Sequence, residues 1–454
     1  MAIMDHARPG LTVPFGMEFP DRAPKQRYYD PEFFRLETEQ LWSRVWQMAC
    51  RLEEIPNPYD FAEYQILDQS VLVVRREDGG VQAFQNSCRH RGVQVAVGRG
   101  TCKSGFTCPF HGWCYGPDGK NTAVTQRRTF DEHNLDPAEL DLVPVQAETW
   151  GGCAWINHDR SAPPLRQCIE PFATVMDAWQ LETMRPEWWY ACRLPANWKL
   201  AIEAFIEQYH VLESHPQLRI PNRIVRRDRP FDKQTWLAGE MQYLHTMSDG
   251  MAGMVHAKDV DTAEQLRQSI ELPDDPKEAM RHWQRSLNDA VVRSHRAAGS
   301  TIPDLNDLES RGIGDSMYHC FPHFLVLPMY SSASSYRFRP LGPEETLMEI
   351  WSLTRFPEGS EPAPPPQPEA WGPNDPRWPP IPAQDFSNVP RQQKGLHARG
   401  FEYMRLSAAA EGGISNFERT IDGFLAGMPY AQLASALNKV NVNPLEQPVV
   451  DLGI

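Results

Sequence analysis

The chain has 454 residues, and its 45 lysines and arginines against 59 aspartates and glutamates give a formal charge of −14. This acidic balance argues against nucleic acid or a membrane surface as the main partner, because both attract basic proteins. Nine cysteines scattered along a large chain are not a disulfide framework and indicate a reducing compartment. The sequence lacks the pattern of a secretory signal and any apolar run long enough to cross a bilayer, so we expect a cytoplasmic protein.

The first predicted element is a helix over residues 31–46. Asp30 supplies an N-cap, Pro31 suits the first helical position, and apolar side chains recur near helical spacing. We assign residues 1–45 to an N-terminal helical segment that packs on the C-terminal domain.

The next region, from about residue 60 to 157, consists of short β-rich runs separated by turn signals. Asp78 and Gly79 separate two such runs, which is typical of a hairpin, and a second turn is indicated over 116–119. The pattern predicts a compact all-β domain, which we place at residues 46–160.

Two Cys–His pairs lie in the middle of this domain. One residue separates Cys88 from His90, and two residues separate Cys108 from His111. Zinc uses the same residue types, but zinc fingers usually place two cysteines in one pair and two histidines in the other. A Rieske [2Fe–2S] centre needs two thiolates on one iron and two imidazoles on the other, which two such loops can supply. Zinc binding and a coincidence of structural residues stay open as alternatives.

A second group of metal-binding side chains follows at residues 197–213, which are predicted to form one strongly apolar helix. Glu207 and His210 are three apart and share a face. His215 would point away from them on a continuous helix, but the following proline ends or distorts the helix and lets His215 return. Carboxylates and imidazoles in so apolar a segment must be paired or ligated, and two histidines with one carboxylate are the ligands of non-haem Fe(II) oxygenases.

The rest of the chain combines predicted helices, strands and an irregular segment. A helix is predicted over 276–298, inside an insertion at about 260–300, and it fits either a lid over a pocket or a helix packed on the core. Strand-like runs occupy 319–356, and eleven prolines between 357 and 382 predict an extended surface segment. A final helix is expected to end at Gly427.

The residues around both groups resemble those of the α subunits of Rieske non-haem iron, aromatic-ring-hydroxylating oxygenases. The resemblance lies in C-R-H-R-G, then C-P-F-H-G-W, and later N-W-K with E-x-Y-H-x4-H-P. It implies an α+β fold, with an all-β Rieske domain and a catalytic domain at residues 161–454. In that catalytic domain a curved antiparallel sheet wraps around helices in a helix-grip, START-like arrangement.

The resemblance also implies the cluster ligands, which are Cys88, His90, Cys108 and His111. Respiratory Rieske proteins carry a disulfide between the two cluster loops, at positions occupied here by Val93 and Phe110. The site therefore resembles the low-potential oxygenase type, and we interpret Cys102 and Cys114 as structural.

The mononuclear iron ligands implied by the resemblance are His210, His215 and an aspartate near the C-terminus. In the family this aspartate belongs to a D-x-x-N stretch, which Asp385 matches. Asp422 and Asp451 are the competing candidates.

Glu207 stands where the family usually has an aspartate that couples the cluster of one subunit to the iron of its neighbour. We expect Glu207 to be this inter-subunit electron-transfer bridge. The same substitution occurs in members that act on non-arene substrates, which weakens the case for arene cis-dihydroxylation. Glu203 stands where many members have asparagine, and we assign it a supporting or structural role.

The resemblance implies an oxygenase terminal component that uses O2 and electrons from a separate ferredoxin or flavin reductase, and so indirectly from NAD(P)H. The chain itself shows no dinucleotide-binding glycine motif and no plant-type cluster motif. We expect hydroxylation of a hydrophobic, aromatic or polycyclic substrate and a role in aromatic hydrocarbon catabolism. The alternative is a monooxygenase that performs O- or N-demethylation or acts on a non-arene substrate.

Electron transfer between neighbouring subunits implies a homotrimer, with or without a β subunit in an α3β3 assembly. A hypothesis from another class is an electron carrier or a zinc scaffold. A carrier would need only the first hundred and sixty residues, so the second group of ligands argues against it.

Overall fold

A computed structural model describes residues 13–225, 230–251 and 253–454. The strands of the N-terminal part are β1 (Arg22–Pro24), β2 (Gln47–Arg51), β3 (Asp60–Ile66), β4 (Gln69–Arg75), β5 (Val81–Gln85), β6 (Arg99–Thr101), β7 (Phe106–Thr107), β8 (Cys114–Tyr115), β9 (Asn121–Ala123), β10 (Pro144–Trp150) and β11 (Cys153–Asn157). Those of the C-terminal part are β12 (Arg185–Leu194), β13 (Tyr318–Cys320), β14 (Phe324–Met329), β15 (Ser332–Gly342), β16 (Glu345–Thr354), β17 (Ala370–Trp371) and β18 (Tyr403–Arg405).

The α-helices in the described residues connect and cover these sheets. They are α1 (Pro31–Leu36), α2 (Pro137–Leu140), α3 (Leu165–Cys168), α4 (Phe172–Ala178), α5 (Trp198–Glu203), α6 (Val211–Ser214), α7 (Lys233–Gly250), α8 (Ala257–Arg267), α9 (Pro276–Ala297), α10 (Leu305–Ser310), α11 (Pro380–Leu396), α12 (Gly412–Leu425) and α13 (Tyr430–Val440). No helix in the described ranges combines the length and the hydrophobicity that a bilayer crossing requires.

The N-terminal β region forms a seven-stranded antiparallel sheet in the order β2-β11-β10-β5-β4-β3-β6, beside a three-stranded sheet β7-β8-β9. Successive side chains of a strand point to opposite faces. On β4, Val71 and Val73 belong to one hydrophobic core, whereas Leu72 and Val74 belong to another. The strand is therefore buried on both faces. The predicted all-β texture and the hairpin at Asp78, which joins β4 to β5, are confirmed.

The C-terminal region is built on a six-stranded sheet in the order β13-β14-β15-β16-β12-β17, in which only the β12–β17 pair is parallel. Helices α5 and α11 pack against this sheet. Ile350 of β16 faces the core that α5 and α11 share, while its neighbour Trp351 faces a second core formed with α7 and α9. The sheet thus separates two cores, and the predicted α+β fold class is confirmed.

The helix predicted over 197–213 is wrong as a single element, because it breaks between α5 and α6. The backbone N–H groups of Phe205 and Ile206 bond three residues back, so the helix tightens and stops. The Glu207 carboxylate then accepts the backbone N–H of His210 at 3.0 Å, where a continuing helix would use a carbonyl. The break places His210 at the start of α6.

Other sequence predictions hold in part. The first helix begins at the Asp30 cap, but it continues from α1 as a π-helical turn and ends at Trp42. Helix α9 begins at Pro276, as predicted, and Asp275 caps it. Its apolar face packs in the second core, as in the core-packing alternative. The proline-rich stretch is irregular apart from β17, but α11 already begins at Pro380. After Gly427 the chain forms a further helix, α13, that was not predicted.

Buried ion pairs fix the N-terminal segment to the C-terminal helices. Arg27 Nη1 lies 2.6 Å from Asp422 Oδ1, and Arg27 Nε donates to Glu418 at 2.6 Å. Lys199 Nζ donates to Glu37 at 2.6 Å, and these side chains are fully buried. A charge buried away from water is costly unless it is paired with an opposite charge. These ion pairs therefore hold residues 25–42 against α5 and α12. The boundaries of the three-part division remain a prediction.

Candidate metal centres

The two Cys–His loops of the β region have the same backbone design. The carbonyl of Cys88 accepts from Gly92 N at 2.9 Å, and the carbonyl of Cys108 accepts from Gly112 N at 3.0 Å. Both glycines have positive φ, at 79° and 72°, which other residues adopt only with strain. Each cysteine N–H also donates at 2.8 Å to the residue after the glycine. The glycine after each pair therefore closes a tight loop that presents one thiol and one imidazole.

The four side chains of these loops converge. The rings of His90 and His111 lie 4.6 Å apart, and Cys88 and Cys108 are buried and close enough to share a hydrogen bond. Within the described residues, Nδ1 of both histidines is buried and has no hydrogen-bond partner. A buried ring nitrogen without a partner is costly unless it binds a ligand. Two buried thiols and two unpaired imidazole nitrogens fit the donor set of a Rieske [2Fe–2S] cluster.

The protein around the loops treats the two thiols differently. Burial raises the pKa of the Cys88 thiol, whereas for Cys108 backbone N–H groups of Phe110 and His111 outweigh burial and lower the pKa. Tyr115 Oη lies 3.2 Å from Cys88 Sγ and accepts from Arg89 N at 2.9 Å, so its own hydrogen is available to a deprotonated sulfur. Tyr115 was not predicted from the sequence, although it follows the second pair in W-C-Y.

The cysteines outside this cluster have ordinary surroundings. No disulfide joins any of the nine cysteines of the chain, all of which lie in the described residues. Cys102 Sγ donates to the carbonyl of Tyr59 at 3.2 Å, and Cys114 Sγ to that of Gly112 at 3.4 Å. These contacts match the structural role predicted for both residues.

The second group brings His210, His215 and Asp385 together. His210 and His215 bracket α6, and His215 leaves the helical region at φ −118°, ψ 69° before Pro216, as predicted. Asp385 lies on α11, and its Oδ1 is 3.1 Å from His215 Nε2 and 3.7 Å from His210 Nε2. One ligand atom from each side chain falls within 4.8 Å of the others. This donor set fits a metal ion, and it is the set of non-haem Fe(II) sites.

The outer ring nitrogens of both histidines are held by neighbouring side chains. His210 Nδ1 contacts Oε1 of Glu207, and His215 Nδ1 lies 2.7 Å from Oε1 of Gln384. Gln384 also accepts from Gln217 at 2.9 Å. Such contacts fix the ring orientation and leave Nε2 free for a metal. Glu207 was predicted from the sequence to act beside His210, whereas Gln384, which directly precedes Asp385, was not.

The other acidic candidates lie elsewhere. Asp422 is fully buried, pairs with Arg27 and accepts the backbone N–H of Met17 at 2.7 Å. Asp451 is exposed and accepts the N–H of Gly453. Glu203 accepts from Tyr28 Oη at 2.9 Å and is buried, which is a structural role.

Two family models match the chain. The model of the ring-hydroxylating α subunit catalytic domain matches residues 181–427, and that of the Rieske [2Fe–2S] domain matches residues 45–136. The first match covers more than half of the chain and includes all three proposed iron ligands, and the second includes both Cys–His loops.

Several curated proteins are similar over part of their length. The carnitine monooxygenase oxygenase subunit of Escherichia coli (strain K12) is 31% identical over 195 residues, which is 42% of this chain and 52% of that protein. The glycine betaine monooxygenase oxygenase subunit of Pseudomonas aeruginosa (strain PAO1) is 32% identical over 195 residues, 43% and 45% of the two chains. The α subunit of 2-aminobenzenesulfonate 2,3-dioxygenase of Alcaligenes sp is 32% identical over 189 residues, 40% and 47%. The chain spans about half the length of the curated relatives it matches.

Two solved structures share the fold over almost the whole chain. A quaternary ammonium Rieske monooxygenase has a TM-score of 0.60 at 17% identity, covering 92% of this chain and all of that one. Naphthalene 1,2-dioxygenase has a TM-score of 0.62 at 19% identity, covering 94% of this chain and 97% of that one. At these identities the likeness shows a common fold.

Proposed function

Because the chain belongs to the ring-hydroxylating α subunit family and carries a Rieske [2Fe–2S] domain, we propose that it is the oxygenase component of a Rieske monooxygenase for small quaternary ammonium compounds. One observation carries the substrate class: the relatives at about 30% identity include enzymes named for carnitine and for glycine betaine. These names favour the non-arene alternative of the sequence analysis over its aromatic main interpretation. The reaction would hydroxylate a carbon attached to the cationic nitrogen, so that the C–N bond breaks and an amine and an aldehyde leave.

The proposed metal ligands follow from the two donor sets. Cys88, His90, Cys108 and His111 would hold the cluster, and His210, His215 and Asp385 would hold the iron. When bound, the cluster carries single electrons and the mononuclear iron activates O2. Glu207 and Gln384 would orient the two imidazoles, because each contacts the outer nitrogen of one ring.

Tyr336 lies near the proposed iron ligand Asp385 and belongs to a small aromatic cluster. The rings of Phe205 and Tyr336 lie 5.0 Å apart, and Phe205 and Phe338 lie 5.6 Å apart. Burial above all, and the nearby Asp385 charge, raise the pKa of Tyr336, so its ring is neutral and close to the metal ligands. Aromatic faces attract quaternary ammonium groups. The cluster of Phe205, Tyr336 and Phe338 therefore supports a trimethylammonium substrate.

Exposed apolar side chains support a ring of subunits. Tyr209 and Leu212, beside His210, are 73% and 56% exposed, and Phe110, beside His111, is 55% exposed. Apolar side chains of this size beside two functional sites are typical of protein interfaces. We propose that the cluster loops of one subunit dock beside Glu207 of the next in a homotrimer. The electron donor would be a separate ferredoxin or flavin reductase.

Arene hydroxylation is the second candidate. The α subunit of 2-aminobenzenesulfonate 2,3-dioxygenase is as similar as the quaternary ammonium enzymes, at 32% identity. The same aromatic cluster could also receive a planar ring.

Substrate-dependent O2 uptake by the purified enzyme with a surrogate reductase separates the two candidates. We expect uptake, with release of an aldehyde, for carnitine, glycine betaine or choline. The matched control for choline is 3,3-dimethylbutanol, which has the same shape without the charge and should not stimulate uptake. Uptake with naphthalene or an aminoarene, and none with the ammonium compounds, would instead support arene hydroxylation.

A further inference from the structure

A row of aromatic side chains begins next to the proposed iron ligand Asp385 and ends at the protein surface. Neighbouring ring centroids along the row are 4.8, 4.8, 5.0 and 4.4 Å apart. The members of this aromatic row, in order from Asp385, are Phe386, Trp378, Trp371, Tyr190 and Trp188.

The row changes in exposure from one end to the other. Phe386 and Trp378 are buried, at 1% and 6% exposure. Trp371, Tyr190 and Trp188 are half-buried, so their rings reach solvent. The path therefore joins the interior beside Asp385 to the surface of the sheet at β12 and β17.

The chemistry of the row also changes along its length. Phe386 follows Asp385 directly in α11. A phenylalanine ring is hard to oxidise, whereas indole and phenol rings each give up one electron at moderate potentials. Trp378 is thus the first oxidisable ring on the path, and it packs on the residue that follows Asp385 in the chain.

Packing alone does not require these residue types. An apolar contact between α11 and β12 could be made equally well by leucine, isoleucine or phenylalanine, because burial depends on apolar area. The Trp378 indole N–H donates to the carbonyl of Gly372 at 2.9 Å, which holds the ring in place. The Arg377 guanidinium lies 4.1 Å from the Trp371 ring centre, and its charge is compensated by Asp375 at 2.7 Å.

We propose that the aromatic row is an escape route for oxidising equivalents, which protects the proposed metal ligands when O2 is activated without substrate. The inference rests on the proposed function, because the oxidant would arise at the O2-activating site. One electron passes from Trp378 to that site, which is reduced by one electron. Trp371 then supplies an electron to Trp378, and Tyr190 and Trp188 supply one in turn.

A diffusible thiol restores the outermost ring. The thiol gives one electron and releases its proton to water, and two thiyl radicals join as a disulfide. A ring that loses its N–H or O–H proton on oxidation regains one from water on reduction. The net result is one electron delivered from a surface thiol to the oxidant, with every ring returned to its initial state.

The test mixes the reduced, metal-loaded enzyme with O2 in the absence of substrate. Freeze-quenched electron paramagnetic resonance should show a tryptophanyl or tyrosyl radical in the wild type. Trp378→Phe keeps an aromatic ring but should lose this radical. Trp371→Phe, at a half-buried position, should confine the radical to Trp378 and serves if the first variant does not fold. Trp150→Phe is the matched control, since Trp150 is half-buried and packs on other rings outside the row.

Peptide mass mapping after repeated O2 exposure gives a second readout. We expect oxidised Trp188, Tyr190 or Trp371 in the wild type, and a shift of oxidation to residues around Asp385 in Trp378→Phe. No ring oxidation in a wild-type enzyme that consumes O2, or an identical radical in wild type and Trp378→Phe, would overturn the escape route. A reduced enzyme that consumes no O2 without substrate would also overturn the escape route, whereas one that consumes none even with an ammonium compound or an arene present would overturn the proposed function.

Discussion

The carboxylate of Glu207 contacts His210 twice, accepting its backbone N–H at 3.0 Å and touching ring Nδ1 through Oε1. One side chain therefore both starts α6 and sets the orientation of a proposed iron ligand. The resemblance to the family implies an aspartate as the usual residue at this position. The chain is not helical between α5 and α6, and there the glutamate side chain contacts the His210 imidazole.

Glu207→Gln should leave both metal sites loaded but lower turnover by about 10–100-fold, the usual effect of losing a carboxylate behind a metal-bound imidazole. The check is oxidation of the reduced cluster in a single turnover, which should be blocked or slowed. Glu213→Gln is the control, because Glu213 is exposed on the same segment, at 86% of its side chain. Normal cluster oxidation in Glu207→Gln would contradict the bridging role.

Tyr115→Phe should lower the reduction potential of the cluster. Hydrogen bonds to cluster sulfurs stabilise the reduced form, and this variant removes the one between Tyr115 and Cys88. A redox titration followed by visible spectroscopy measures the shift. Cys114→Ala, which alters a half-buried thiol near the same loop, should leave the potential unchanged, and an unchanged potential in Tyr115→Phe would refute the assignment.

Lys199→Met should lower the free energy of unfolding by roughly 3–5 kcal/mol, because it leaves the buried Glu37 carboxylate without its partner. Burial already raises the pKa of Glu37, so the carboxylate depends on Lys199 to stay charged. Urea denaturation measures the loss, and adding Glu37→Gln should recover much of it. Arg35→Met, in an exposed pair with Glu39, should leave the free energy of unfolding almost unchanged. Equal decreases in the free energy of unfolding in Lys199→Met and Arg35→Met would refute the prediction.

His323 should make the protein less stable below pH 6.5. It is fully buried between Met48 N, at 3.1 Å, and the carbonyl of Phe338, at 3.1 Å. Burial, and less strongly the Arg337 and Arg339 charges against the opposing Glu349, lower its pKa from 6.5 to about 3. The unfolded chain therefore binds a proton that the folded protein excludes, so stability is complete above pH 6.5 and falls towards pH 3, by at most about 1.4 kcal/mol per pH unit from this group.

The measurement for His323 is the urea midpoint at pH 7.5 and pH 5.5. His323→Gln, whose amide can make both hydrogen bonds, should reduce the difference between the two midpoints. His245→Asn changes a half-exposed histidine and should not alter it. The same pH dependence in all three proteins would exclude His323 as its source.

The local motifs made most of the fold and the site predictable. The Cys–His spacing identified the two cluster loops, Pro216 predicted that His215 returns to His210, and strand-like runs over 319–356 indicated β14 to β16. The family membership that the motifs suggested is confirmed. Asp385 could be chosen because its short motif pointed to it, and the structure places it beside both histidines.

What the sequence could not show depends on long-range contacts. Helix propensity favoured a continuous helix over 197–213, but the Glu207 side chain competes for the His210 N–H and ends it. Gln384 and Tyr115 act through neighbours distant in sequence. The motifs could not indicate the substrate class either, because they contain the proposed metal ligands and not the residues that would contact a substrate.

The iron content of the purified protein and of Asp385→Ala tests the central claim most directly. A chain with one Rieske cluster and one mononuclear site should hold about three irons, and Asp385→Ala about two, with the cluster spectrum unchanged and turnover lost. Zinc in place of iron, or three irons and full activity in Asp385→Ala, would contradict the account.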